Sequence, residues 1–237
     1  MADSRIIAAL DVRTPEDMKH LVEKLGDSVS FYKVGMELFY SAGPDTVRYL
    51  KAAGKRVFLD LKVHDIPHTA AQAMKALTRL GADLMTLHAG GGTAMMRAAA
   101  AAVREEAERL GIERPGLLAV TVLTSIDETA WSELGHTAGI GESVGHMARL
   151  AKAAGVDGIV SSPREAAEIR AVNGADFVIV TPGIRPAFAG TDDQRRIAAP
   201  AQALRNGASY LVIGRPITKA GDPRAAALSI AAEIEGV

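Results

Sequence analysis

Val57-Phe-Leu-Asp-Leu-Lys-Val-His-Asp-Ile-Pro-His-Thr69 is the stretch whose reading decides the fold. It opens with a short apolar run, Val57–Leu61, of the kind that forms a buried strand, and then turns polar. Seven more such runs lie near Ile6–Leu10, Phe31–Val34, Leu84–Leu87, Leu117–Leu123, Gly158–Val160, Phe177–Val180 and Tyr210–Ile213. Eight runs in 237 residues leave about 30 residues per unit, the length of a strand plus a helix. The expected fold is an α/β (β/α)8 TIM barrel, a single domain over residues 1–237.

The segments between the runs read as helices. Thr14–Leu25 begins Thr-Pro-Glu-Asp, a capping residue followed by proline at the first helical position. Thr93–Leu110 contains Ala98–Val103, which reads as a strong helix rather than as low complexity. Gly54, Gly81 and Gly155 each follow a helical run and precede a strand, the place of a C-terminal cap. Hydrophobic residues make up 48% and aromatics only 4%, so the core must be aliphatic and alanine-rich. The one long irregular stretch, Pro182–Arg196, follows the seventh strand, and long loops in compact domains are functional lids or disordered segments.

Composition excludes several classes of function. The net charge of −1 offers no basic excess for nucleic acid or a membrane surface. Cysteine is absent, which removes disulfides, thiolate catalysis and cysteine-based zinc sites. The N-terminal MADSRIIAALDV has no long apolar run, and nothing approaches the roughly 18 continuous apolar residues of a membrane span. The cytosol is the expected compartment.

The polar residues carry the functional signal. Asp11, Lys33, Asp60, Lys62, His88, Thr124, Arg185 and Arg215 all sit at or just beyond the C-terminal end of an expected strand. Barrel enzymes build their sites on that face, so the pattern suggests an enzyme acting on an anionic substrate. Residues two apart on a strand share a face, so Asp60 and Lys62 point the same way where the barrel opens to solvent. Asp65 follows past the strand end, and Lys33 ends another strand in Phe31-Tyr-Lys-Val-Gly35. Two lysines and two aspartates alternating in charge can all stay ionised despite partial burial. The competing reading of these four residues is a structural salt-bridge cluster at the barrel mouth.

Asp60-x-Lys62-x-x-Asp65, with His64-Asp65-Ile66-Pro67, resembles the signature of the orotidine 5′-monophosphate decarboxylase family. The similarity runs over nearly the whole chain. It includes Ala9-Leu10-Asp11, Tyr32-Lys33-Val34-Gly35, Leu87-His88-Ala89, Val120–Ser125, Thr181-Pro182-Gly183-Ile184-Arg185 and Ile213-Gly214-Arg215-Pro216-Ile217. His68 departs from the pattern, since bacterial members commonly carry asparagine there, and it is not ranked as catalytic.

The resemblance implies a cofactor-free decarboxylation of orotidine 5′-monophosphate to uridine 5′-monophosphate, with no metal, in a homodimer. Lys62 would donate a proton to pyrimidine C6 as carbon dioxide leaves, and Asp60 would lie beside the departing carboxylate. Lys33 and Asp65 would complete the charged network, Asp65 coming from the other subunit. Asp11 and Lys33 would hold ribose hydroxyls together with Thr69 of the partner chain, and Ile66 stands with them among the substrate contacts. Thr124 would face the pyrimidine, while Arg185, Gln194, Gly214 and Arg215 would hold the phosphate.

The same arrangement on a similar barrel serves the magnesium-dependent 3-keto-L-gulonate 6-phosphate decarboxylase and 3-hexulose 6-phosphate synthase. Their metal site uses glutamate where this chain has Lys33, and a cation there opposes binding of another. A non-catalytic nucleotide-binding barrel is the third reading, and it would be expected to lose part of the network kept here.

Other candidates have plainer expectations. His64 and His88 lack metal-ligand spacing, and His88 is expected to pack or hydrogen-bond at a strand end. Gly90-Gly91-Gly92 is expected to form a tight strand-to-helix turn, and Trp131 and Met95-Met96 to pack. Arg104, Glu105, Glu106, Glu108 and Arg109 are expected to form a solvated helix face.

Overall fold

A computed structural model describes residues 2–188 and 196–237. Eight parallel strands close on one another in sequence order. They are β1 (Ile6–Ala9), β2 (Phe31–Gly35), β3 (Arg56–Val63), β4 (Leu84–His88), β5 (Gly116–Val120), β6 (Gly158–Val160), β7 (Val178–Thr181) and β8 (Tyr210–Ile213), and β8 pairs back onto β1. The helices are α1 (Pro15–Leu25), α2 (Met36–Ala42), α3 (Asp45–Ala52), α4 (Pro67–Thr78), α5 (Gly92–Leu110), α6 (Glu128–Glu133), α7 (Ile140–Ala153), α8 (Ala166–Asn173), α9 (Pro200–Arg205), α10 (Arg215–Thr218) and α11 (Pro223–Glu233). The expected (β/α)8 barrel is the observed fold.

The two-residue period of each strand divides the core into two layers. Ile7, Ala9, Phe31, Phe58, Leu84, Leu118, Val180 and Val212 point into the barrel and fill it. Their neighbours Ile6, Ala8, Tyr32, Val57, Leu59, Met85, Leu117, Ile179 and Leu211 point outward and pack on the helices. One step beyond the inner layer, the same alternation places Asp11 above Ala9, Lys33 above Phe31, Asp60 above Phe58 and Gly214 above Val212. The inner core thus ends at a floor of apolar side chains, and charge begins immediately above it. Gly158 allows the tight pairing of β6 with β7, because a Cβ there would collide with the Val178 carbonyl.

Local signals account for the element ends. Thr14 caps α1 by accepting from the Asp17 amide at 3.1 Å, with Pro15 at the first helical position. Gly90 and Gly91 form a single 3-10 turn between β4 and α5. Met95 and Met96 are fully buried, and Trp131 is buried and donates from Nε1 to the Ala138 carbonyl.

Two expectations need correction. The fifth strand stops at Val120 rather than Leu123. Beyond it the Thr121 amide and hydroxyl both turn to the Val160 carbonyl. The carbonyls of Val122 and Leu123 instead accept from the Arg196 guanidinium at 2.9 and 3.0 Å. The second correction is Glu106, which is not part of a solvated face. Its side chain is only 4% exposed, covered by Arg79, just past the end of α4, and Arg109 one turn along α5.

Candidate active site

The C-terminal ends of the strands surround a cavity of ≈ 280 Å³. Phe58, Val120, Val122, Val160 and Val212 supply an apolar wall, and Lys33, Asp60, Lys62, Thr124 and Ser161 supply the polar groups. A second cleft of ≈ 190 Å³ shares Lys33, Pro182 and Val212 with the first and extends to Asp11, Gly183, Arg185, Gly214 and Arg215. Together they form one trough, anionic and cationic at one end and arginine-lined at the other.

Asp60 is the centre of the charged end. Its Oδ2 accepts from Lys62 Nζ at 2.8 Å and lies 3.9 Å from Lys33 Nζ. Its Oδ1 accepts from the Thr86 hydroxyl at 3.0 Å. Lys33 Nζ in turn reaches Asp11 Oδ1 at 2.9 Å. The order Asp11–Lys33–Asp60–Lys62 alternates in sign, so each lysine has a carboxylate beside it. Gly35 makes room for it, because a Cβ there would stand 2.8 Å from Lys33 Nζ.

The backbone at Lys62 is unusual. Among the described residues it is the sole non-glycine with positive φ, at 52°. A side chain in that region costs about 1–2 kcal/mol. The pairing of β3 with β4 is irregular here: Leu59 lies opposite Met85 and Val63 opposite Leu87, so Asp60, Leu61 and Lys62 all face the single residue Thr86. Such bulges re-aim side chains beside active sites. Leu61 still packs outward into the core, and Asp60 and Lys62 both face the cavity, as the alternation predicts.

Asp65 does not join the row within its own chain. It is exposed, and its Oδ1 accepts from the Ile66 amide at 2.7 Å. The whole run His64–Thr69 is exposed, with Ile66 at 67%. His68 and Thr69 belong to this run and touch neither cavity. His88 sits beside it, with Nδ1 accepting from the Gly90 amide and its ring stacked on His64 at 5.1 Å. Burial, then the nearby His64 and Lys62, hold the His88 imidazole below its ordinary pKa, so its neutral form is favoured. No group of three or more His, Asp or Glu side chains among the described residues is arranged to hold a metal ion.

Thr124, in the loop after β5, lines the charged end; at the other end lie Arg185, after β7, and Gly214 and Arg215, after β8. Gln194 lies outside the described residues. The base of the Pro182–Arg196 stretch is pinned on both sides. Ile184 bridges Ala198, the Arg185 amide donates to the Ala198 carbonyl at 2.9 Å, and Ala198 donates to Gly183 at 3.2 Å. Arg196 is buried, and its guanidinium reaches Glu165 Oε1 at 2.7 Å as well as the Val122 and Leu123 carbonyls. That single side chain ties the end of the stretch to the wall of the pocket.

Two features were missed from the sequence. Thr86 is the one polar residue in the run Leu84–Leu87, which is a signal, but its partners lie on β3. Arg196 reads as loop in the sequence, whereas the structure buries it beside three acceptors as an anchor.

Comparison with known proteins agrees with this geometry. Residues 4–230 match the family described as orotidine 5′-phosphate decarboxylase / HUMPS. The chain is 55% identical over 237 residues to the orotidine 5′-phosphate decarboxylase of Moorella thermoacetica, covering 100% of this chain and 94% of that one. It is 53% identical over 233 residues to that of Trichlorobacter lovleyi, covering 98% and 96%. A crystal structure of orotidine 5′-phosphate decarboxylase from Lactobacillus acidophilus superimposes with a TM-score of 0.88 at 41% identity, over 99% of this chain and 100% of that one. With its barrel, its alternating charge row and nearly its whole length matched, this chain belongs to the orotidine 5′-phosphate decarboxylase / HUMPS family.

Proposed function

We infer that this protein decarboxylates orotidine 5′-monophosphate to uridine 5′-monophosphate in pyrimidine biosynthesis, that it needs no metal or organic cofactor, and that it works as a homodimer with shared sites. The observation that carries the reading is Asp60, held between Lys62 at 2.8 Å and Lys33 at 3.9 Å at the end of a trough whose far end carries Arg185 and Arg215. A nucleotide monophosphate with a carboxylate on its base has its charges at those two ends.

In the reaction the bond from C6 to the carboxylate breaks, carbon dioxide leaves, and the electron pair stays on C6. No imine or thiazolium takes up that pair, so fixed positive charge must stabilise it as it develops. Lys62 would serve both tasks, its ammonium facing C6 and then transferring a proton from Nζ to that carbon. The barrier lowering such a reaction demands is ~20 kcal/mol or more, beyond what one lysine provides. Binding of the phosphate by Arg185, Gly214, Arg215 and Gln194 supplies the remainder, with Pro182–Arg196, of which residues 189–195 lie outside those described, proposed as the phosphate-closing loop. Thr124 faces the pyrimidine, and Asp11 and Lys33 hold the ribose.

The partner copy supplies Asp65, Ile66 and Thr69. The exposed run His64–Thr69 supports this, because within one chain it has no site to serve. Asp65 would stand on the far side of Lys62 from Asp60.

The magnesium-dependent reaction of sibling enzymes is disfavoured by Lys33, whose ammonium lies between Asp11 and Asp60 where a divalent ion would need those carboxylates. We assign the enzyme to the cytosol, because a multiply charged nucleotide does not cross a bilayer unaided. Among the described residues no helix is long and apolar enough to cross a membrane. Loss of orotidylate absorbance, followed with and without chelator, tests the reading: equal rates are expected. Activity abolished by chelator and restored by magnesium would overturn the metal-free part, and no activity in either condition would overturn the assignment.

A further inference from the structure

We propose that Thr86 is a positioning residue for this reaction, holding Asp60 and Lys62 in register with each other through one hydroxyl. The proposal rests on the reading of Lys62 as proton donor.

The hydroxyl of Thr86 is fully committed. It donates to Asp60 Oδ1 at 3.0 Å and accepts from the Lys62 amide at 2.9 Å. Thr86 is 1% exposed, so no solvent replaces either bond. It lies opposite the three-residue bulge Asp60–Lys62, and the Lys62 amide, which would otherwise pair with a β4 carbonyl, turns to the side chain instead.

Two consequences follow. With Oδ1 occupied, the carboxylate of Asp60 is fixed in rotation, and Oδ2 is the oxygen that meets Lys62 Nζ. With its amide occupied, Lys62 is held in the left-handed backbone region that aims its side chain at the cavity. The donor and the carboxylate that orients it are therefore set by the same atom. Without Thr86 Oγ1, Asp60 is free to turn and the bulge loses the bond that holds it, while both side chains remain present. None of the residues proposed for phosphate or ribose lies on β4, so uridylate affinity is expected not to depend on Thr86.

The test uses Thr86→Val, which keeps the shape and removes both bonds, and Thr86→Ser, which keeps the hydroxyl. Three quantities are measured: kcat for orotidylate loss, Kd for uridylate, and the enzyme-catalysed exchange of the uridylate C6 hydrogen for deuterium in D2O. The exchange reads proton transfer at C6 without any carbon dioxide release. Thr86→Val is expected to lower kcat and exchange together, by about 10- to 100-fold, as loss of hydrogen bonds to a charged group implies. Uridylate Kd is expected to stay within about threefold, and Thr86→Ser to recover most of the loss. Should the valine variant fail to fold, Thr86→Ala carries the same measurements. A folded Thr86→Val or Thr86→Ala enzyme with kcat and exchange within about twofold of the unaltered protein would overturn the proposal. So would a lowered Tm with kcat unchanged, which marks a structural role only. Lys62→Ala, run alongside, separates the two readings: exchange lost in Lys62→Ala but unchanged in Thr86→Val overturns Thr86 alone, whereas exchange retained in Lys62→Ala overturns the Lys62 assignment and this proposal with it.

Discussion

At the barrel mouth, Lys33 and Lys62 flank Asp60; between α4 and α5, Arg79 and Arg109 flank Glu106. Both clusters place a covered carboxylate between two cations, the side chain of Asp60 being 12% exposed and that of Glu106 4%. They differ in what remains unsatisfied. Glu106 has both oxygens engaged by guanidinium groups, with Arg109 bridging the two, and neither cavity of the trough reaches it. Lys62, by contrast, spends one contact on Asp60 and lines the cavity of the trough. A charge cluster is a site where it leaves charge facing a cavity, and a brace where it closes on itself. The residue types alone do not separate the two cases.

The sharpest way to break this distinction is at Lys62. Lys62→Ala is expected to lower turnover by at least about 10⁴-fold, since proton donor and electrostatic stabiliser are lost together. The barrel should stay folded and uridylate binding should largely survive, because phosphate and ribose contacts lie elsewhere. Near-normal turnover in a folded variant free of wild-type enzyme would move the mouth cluster into the structural class.

A smaller effect is expected at the far end of the trough. Arg215→Ala should cost about 2–4 kcal/mol in kcat/KM, from loss of one partner of a charge pair desolvated on binding. Orotidine, which has no phosphate, should be almost insensitive to the change. Equal losses for both substrates would assign Arg215 a structural part instead.

The smallest effect is expected at the brace. The guanidinium groups of Arg109 and then Arg79 hold the Glu106 carboxyl at about 2, below its ordinary 4.5. A depressed folded pKa stabilises the protein above the unfolded value and stops doing so as pH falls through the folded one. Glu106→Gln should therefore lower Tm by a few degrees at pH 7, with the gap narrowing as pH falls from 4.5 toward 2, and should leave kcat unchanged. A fall in kcat with Tm intact would erase the contrast between the clusters.

The legible and illegible parts of the molecule divide along a physical line. The barrel was readable because buried parallel strands are short apolar runs at regular spacing, and the mouth was readable because polar residues recur where those runs end. Asp60 and Lys62 were placed on one face by the two-residue period alone. What escaped depends on residues distant in the chain. Glu106 sits in a row of charges that all look solvated, and its cover comes from Arg79, 27 residues away. The end of β5 is decided by Arg196, more than 70 residues on. The left-handed backbone of Lys62 has no sequence signal, since glycine and asparagine are the residues that announce such positions.

Completion of the mouth cluster by a second copy of the chain is tested most directly by complementation. Lys62→Ala and Asp65→Asn are each expected to be nearly inactive alone. After unfolding and refolding together, or co-expression, a mixed dimer has one pocket with intact Lys62 from one chain and intact Asp65 from the other, and a second pocket with both lesions. Random pairing makes about half the dimers mixed, each with one good site of two, so about a quarter of the unaltered activity should return. Activity that stays at the level of the separate variants, with mixed dimers verified, would contradict the shared site.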